Sequence, residues 1–139
     1  MPMPSEYQRA SLDFEKFLLD ARAASGLTTT NQVYTMVQGV LQTFRRRLTL
    51  PEAIQFAGVL PPVLRALFVA DWNINEPHRS FADRAEMTQE VQSLRADHNF
   101  APDVAIQAVA VALRKNIDEA KLDSVLSTLP EPARDFWCP

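Results

Sequence analysis

The chain has 139 residues, of which 47% are hydrophobic and 22% are charged. This length suits one compact domain that buries roughly two thirds of the surface exposed by its unfolded form. A formal charge of -3 gives no long-range attraction to nucleic acids or acidic membranes, so the composition argues against both as partners.

Four helices are predicted in residues 11 to 72. The first spans about residues 10 to 25 and stops at Gly26. The second spans about residues 30 to 47 and begins at the capping box formed by Thr29 and Gln32. The third begins at the same signature, formed by Thr49 and Glu52, and ends near residue 58. A pair of prolines, Pro61 and Pro62, opens the fourth, because proline fits the first turn of a helix.

The segment NINEPHRS is polar and contains a proline, so it is predicted to be a connection. After it, Pro102 opens a helix that ends near Asn116, Asp118 caps the next one, and Pro130 or Pro132 opens the last. No segment shows the alternation of a strand. The fold class predicted is all-α, with about eight helices.

The chain also repeats itself. When Leu60-Pro61 is aligned with Leu129-Pro130, a helical series of apolar positions recurs in the same register. Further upstream Phe14 aligns with Met87, which shifts the register by about one helical turn. We therefore predict a single domain over residues 1–139, built from two similar four-helix halves, 11–72 and 80–137, packed face to face about an approximate twofold.

The segment VQGVLQTFRRRLTLPEAIQFAGVLPPVLRALF resembles the bacterial family of domains of unknown function numbered 2267, DUF2267. Members of this family show a helix that ends in arginines, a short helix with an acidic residue in its first turn, and a Leu-Pro turn. The similarity covers nearly the whole chain. It implies a compact helical domain of bacterial origin with no established activity, and it carries over no functional residue.

The arginine run Arg45–Arg47 lies in the last turn of the second predicted helix. Cations at a helix C-terminus stabilise the dipole by about 0.3 to 1 kcal/mol each, and this structural interpretation is favoured over a site for a phosphate-bearing partner. Nucleic-acid binding through the run is the weakest functional hypothesis.

Four residues form a candidate ligand site, namely Arg65, Arg134, Trp72 and Trp137. The two arginines occupy equivalent places in the repeat and could clamp an anion in a crevice between the halves, with the tryptophans at its mouth. Local salt bridges and packing at the edge of the core are the alternative interpretations.

Signals for catalysis, metal binding and cofactor binding are missing. His78 and His98 have no ligand partner at suitable spacing, and Asp83, Glu86 and Glu90 are interpreted as the solvated face of a helix. Cys138 is the single cysteine, so it has no internal disulfide partner, and no base lies near it in sequence. We predict a protein that is not an enzyme, contains no metal and needs no cofactor.

The start MPMPSEYQRAS lacks a secretory pattern, and no apolar run approaches the roughly 18 residues of a membrane span. We therefore expect a cytoplasmic protein.

The helix 102–116 carries a second apolar face at Val104, Ala108 and Val111. This face is either enclosed within the bundle or open to another subunit. The leading hypothesis is a non-enzymatic module that acts through a protein partner or as a homo-oligomer. The alternative is a small-molecule or anion-binding domain that uses the crevice between the halves.

Overall fold

The computed structural model describes all of residues 1–139 and confirms the all-α class. It contains one 3-10 turn, Ala96–His98, and no strand, and none of its helices is both long and apolar enough to cross a bilayer. The nine helices are α1 Ser5–Gln8, α2 Ala10–Ser25, α3 Thr30–Arg45, α4 Leu50–Ala57, α5 Pro62–Val69, α6 Arg84–Ser93, α7 Ala105–Asn116, α8 Glu119–Leu126 and α9 Glu131–Phe136.

The helix boundaries follow the local signals. Both capping boxes form, with Thr29 and Thr49 each accepting a hydrogen bond from the backbone N–H three positions later. Asp118 caps α8, and Gly26 ends α2 in the left-handed region at a φ of 78°. The single-turn helix α1 was not predicted, because so short a segment carries no periodicity.

The helices pack across the two predicted halves more than within them. The most extensive contacts join α2 to α7 and α3 to α6, so the first helix of each half lies on the second helix of the other. These four helices contribute to one core of 33 buried residues. The halves therefore share a core, while their twofold relation stays a prediction.

The second apolar face of α7 is mostly covered. The helix contacts α2, α3 and α6, and Ala108 is buried. Val111 is half-buried, and only Val104 is exposed. Ala108 is therefore enclosed in the bundle, and whether Val104 and Val111 form an interface with another subunit stays a prediction.

Candidate functional site

The arginine run at the C-terminal end of α3 lies mostly inside the domain. Arg45 is 2% exposed and Arg47 is 5% exposed. The connection after α5 folds over this helix end, because the Arg79 N–H donates to the Arg46 carbonyl and His78 contacts the Arg47 carbonyl through Nε2 at 3.0 Å. A carbonyl can only accept, so Nε2 of His78 carries the hydrogen. The connection thereby satisfies helix-terminal carbonyls that α3 leaves unpaired.

Glu90 of α6 neutralises most of this run. It accepts hydrogen bonds from Arg47 Nη1 at 2.9 Å and Nη2 at 3.2 Å, from Arg46 Nη1 at 3.2 Å, and from Arg79. Burial alone would raise the pKa of Glu90, but the hydrogen bonds and charges of Arg47 and Arg79 outweigh it and lower the pKa below its ordinary value. The prediction of a solvated position is wrong for Glu90, because Arg46 and Arg47 cover it, whereas Asp83 and Glu86 are exposed.

Arg45 has a different environment from its two neighbours. Its Nη1 donates to the carbonyls of Phe68 and Ala70, each at 3.0 Å, and its guanidinium lies 5.2 Å from the centroid of the Trp72 ring. It forms no ion pair, and its buried Nε has no hydrogen-bond partner. Burial lowers the pKa of Arg45, although Glu76 and Asp71 act from a distance to raise it.

A cleft of about 400 Å³ opens beside Arg45. Arg45 and Arg46 provide its positive charge, while Glu76 and His78 provide its other ionisable groups. The rest of the lining is largely apolar and comes from the segment after α3 and from the connection, namely Leu48, Leu50, Trp72 and Ile74. A cleft of this size, lined by apolar side chains together with charged ones, is within the range of small-molecule sites.

The charges around the cleft do not balance. Four guanidinium groups, those of Arg45, Arg46, Arg47 and Arg79, face two carboxylates that are in ion pairs, Glu76 and Glu90. The exposed Asp71 is a third carboxylate, which acts on Arg45 without an ion pair. At least one positive charge therefore stays without a matching negative charge.

The second half of the chain contains a neutralised version of the same arginine. Arg114 is the repeat equivalent of Arg45, and its Nε donates to the carbonyl of Trp137, which is the repeat equivalent of Phe68. Arg114 also pairs with Asp123 at 3.0 Å. The position that corresponds to Asp123 in the first half is Ile54, which is 63% exposed. Arg45 therefore lacks a carboxylate at the place where Arg114 has one.

The structure does not bring together the four residues of the predicted crevice. Trp72 lines the cleft, whereas Arg65 lines a separate cavity and donates from Nε to Ala57 O at 3.0 Å and from Nη2 to Leu60 O at 2.8 Å. Arg134 is exposed on α9. Trp137 is fully buried and packs against Phe44 with ring centroids 5.3 Å apart, so it lies in the core.

Sequence reasoning identified Trp72, included Arg45 only within the less favoured phosphate site of the arginine run, and missed the cleft. The run Arg45–Arg47 was interpreted as one unit at a helix end, whereas the structure separates Arg45 from the pair that binds Glu90. One signal in the sequence could have found the difference. When the two copies of the repeat are aligned, Arg114 has an acidic partner on the following helix, α8, while the matching position in α4 is apolar.

Comparisons with known proteins place the chain in a family without assigning it an activity. No curated protein matches it. A family model described as "Uncharacterized conserved protein (DUF2267)" matches residues 14–136, which is most of the chain. The match includes α3 to α9 and therefore the arginine run, the connection and the cleft. The chain belongs to the DUF2267 family.

Proposed function

We propose that this domain is a non-enzymatic binding module that takes a small anionic molecule in the cleft beside Arg45. The observation that carries the proposal is the buried Arg45 itself, which lines the cleft, forms no ion pair and keeps an unpartnered Nε. The function rests on binding, and no group in the cleft is given a catalytic role.

A buried guanidinium without a counter-ion is unfavourable, because burial removes water that would otherwise stabilise the charge. The two carbonyls of Phe68 and Ala70 supply dipoles at 3.0 Å but no negative charge. An anion in the cleft would supply the missing negative charge, and charge-assisted hydrogen bonds to a guanidinium are roughly twice as strong as neutral ones. Arg114 also donates to a backbone carbonyl, from Nε rather than Nη1, and its charge is already matched by Asp123.

This proposal is preferred over the interaction module favoured by the sequence alone. The reason for expecting self-association was the second apolar face of α7, and α2, α3 and α6 pack around that helix. The recurrence of the arginine-to-carbonyl hydrogen bond at the equivalent place in the second half also supports the inferred duplication.

The test restores the missing carboxylate. Ile54→Asp places a carboxylate at the repeat position of Asp123, where it is expected to pair with Arg45, and Ile54→Asn is its uncharged control. Both substitutions are at an exposed position and should leave the fold intact. Benzoate binding is measured by isothermal titration calorimetry, with thermal unfolding as a second readout. At about 100 times its dissociation constant a ligand stabilises the native state by about 2.7 kcal/mol.

We expect benzoate to bind the wild type and Ile54→Asn with similar affinity, and to bind Ile54→Asp about tenfold more weakly, since the introduced carboxylate would compete for the same guanidinium. Equal binding to the Asp and Asn variants would show that Arg45 is not the anion contact. Absence of binding to the wild type by benzoate, acetate and phenyl phosphate would refute the proposed function.

A further inference from the structure

We propose that the cleft selects a carboxylate with one negative charge and an apolar body, and that Glu76 sets this limit on charge. The inference rests on the proposed function and names the ligand class for the same site. Arg45 is the anion contact, and Glu76 is the specificity-determining residue.

Glu76 lies in the connection between α5 and α6 and lines the cleft. Its Oε1 is 3.5 Å from Arg46 Nε, which makes an ion pair, but the geometry makes no hydrogen bond and this buried oxygen has no donor. Glu76 therefore neutralises Arg46 without saturating its own hydrogen-bonding capacity. It also places a fixed negative charge inside the cleft.

The charge balance then distinguishes one kind of anion from another. A single negative charge on the ligand completes the balance, because Glu76, Glu90 and the exposed Asp71 offset three of the four guanidinium charges. A second negative charge on the ligand would face Glu76 in a partly buried site, where repulsion is screened less than in water. The carboxylate of Glu76 therefore lowers the affinity for a dianion more than the affinity for a monoanion.

The apolar lining indicates the remainder of the ligand. Leu50 and Ile74 are 48% and 68% exposed at the cleft, and Leu48 and Trp72 extend this surface inward. A ligand body that covers these side chains gains about 25 cal/mol for each Å² of apolar surface removed from water. A volume of about 400 Å³ is at the lower end of small-molecule sites, which favours a ring or short acyl chain.

The experiment compares three probes on the wild type and on Glu76→Gln by isothermal titration calorimetry at about pH 8, where phosphate monoesters are dianions. Benzoate has one charge and a ring, phenyl phosphate has the same ring and two charges, and acetate has one charge and no ring. Glu86→Gln is the matched control, because Glu86 is exposed on α6 and does not line the cleft.

In the wild type we expect benzoate to bind about tenfold more tightly than phenyl phosphate and about tenfold more tightly than acetate. Glu76→Gln should reduce the ratio of the affinities for benzoate and phenyl phosphate at least about fivefold, and Glu86→Gln should leave this ratio unchanged. Phenyl phosphate binding as tightly as benzoate to the wild type, or an unchanged preference in Glu76→Gln, would overturn the inference while leaving anion binding at Arg45 intact. If acetate binds as tightly as benzoate, the apolar body is not recognised and that part of the inference is wrong.

Discussion

Single residues decide how the arginine run is used. Arg46 and Arg47 bind Glu90 and so tie α3 to α6, whereas Arg45 reaches the carbonyls at the end of α5 and stays without a carboxylate. Three adjacent identical side chains thus have two roles, because α3 ends at Arg45 and the chain turns at Arg46 and Arg47. The structural interpretation of the run holds for two of them, and the third is the candidate anion contact.

Glu90 gives a prediction at this scale. Replacing it by Gln removes the shared counter-ion of three arginines, two of them largely buried, so Glu90→Gln should lower the free energy of unfolding by about 3 kcal/mol near neutral pH. Urea unfolding measures the loss. Glu15→Gln is the control, because Glu15 is exposed on α2 and forms no ion pair.

The same variant has a defined pH dependence. The pKa of Glu90 in the folded state is below its ordinary value of 4.5, so its contribution is complete above the unfolded-state pKa and is lost as the pH falls through the folded-state pKa. The difference in stability between wild type and Glu90→Gln should therefore shrink as the pH falls below 4.5. A difference that stays constant across this range would contradict the role of the ionised carboxylate.

At the scale of elements, the contact between α3 and α6 places Glu90 against the arginines and depends on Gly39. A Cβ atom at Gly39 would lie 2.8 Å from the carbonyl oxygen of Val91 and 3.1 Å from its Cγ1. These distances are too short for packed atoms, so the two helices can approach this closely only with glycine at the contact.

Gly39→Ala should therefore destabilise the domain. Overpacking costs about 1 to 3 kcal/mol, and the higher helix propensity of Ala returns about 1 kcal/mol, so a net loss of up to about 2 kcal/mol is expected in thermal unfolding. Gly58→Ala is the control, since Gly58 is exposed with a φ of -63° and should stay within about 1 kcal/mol of wild type. Equal stability of Gly39→Ala and wild type would show that α3 and α6 can separate without cost.

The local elements could be predicted from the sequence because their signals are local. Thr29 and Thr49 sit beside their own capping partners, and Pro62 begins α5 by the geometry of its own ring. The burial of Glu90 could not be predicted, since it depends on α3 and α6 lying side by side although they are far apart in the chain. The cleft depends on how residues 70 to 83 fold over α3, and that segment has no periodicity to indicate it.

At the scale of the whole molecule, one core supports the cleft. Helices of both predicted halves contribute to it, and the rings of Phe44, Phe56 and Trp137 meet across the halves with centroids 4.8 to 5.5 Å apart. The cleft lies where the connection between the halves returns over α3. Arg45 is therefore held by a rigid scaffold on one side and by the connecting segment on the other, an arrangement that suits selective binding of a small ligand.

The most direct measurement is an NMR titration of the arginine Nε–Hε signals with benzoate. The signal of Arg45 should shift and saturate, because Arg45 lines the cleft and forms no ion pair, while the signal of Arg114, whose Nε already donates to Trp137 O, should not move. Exposed Arg134 serves as the reference for nonspecific contact. A silent Arg45, or an Arg45 that shifts only in parallel with Arg134 and without saturation, would contradict anion binding at this site.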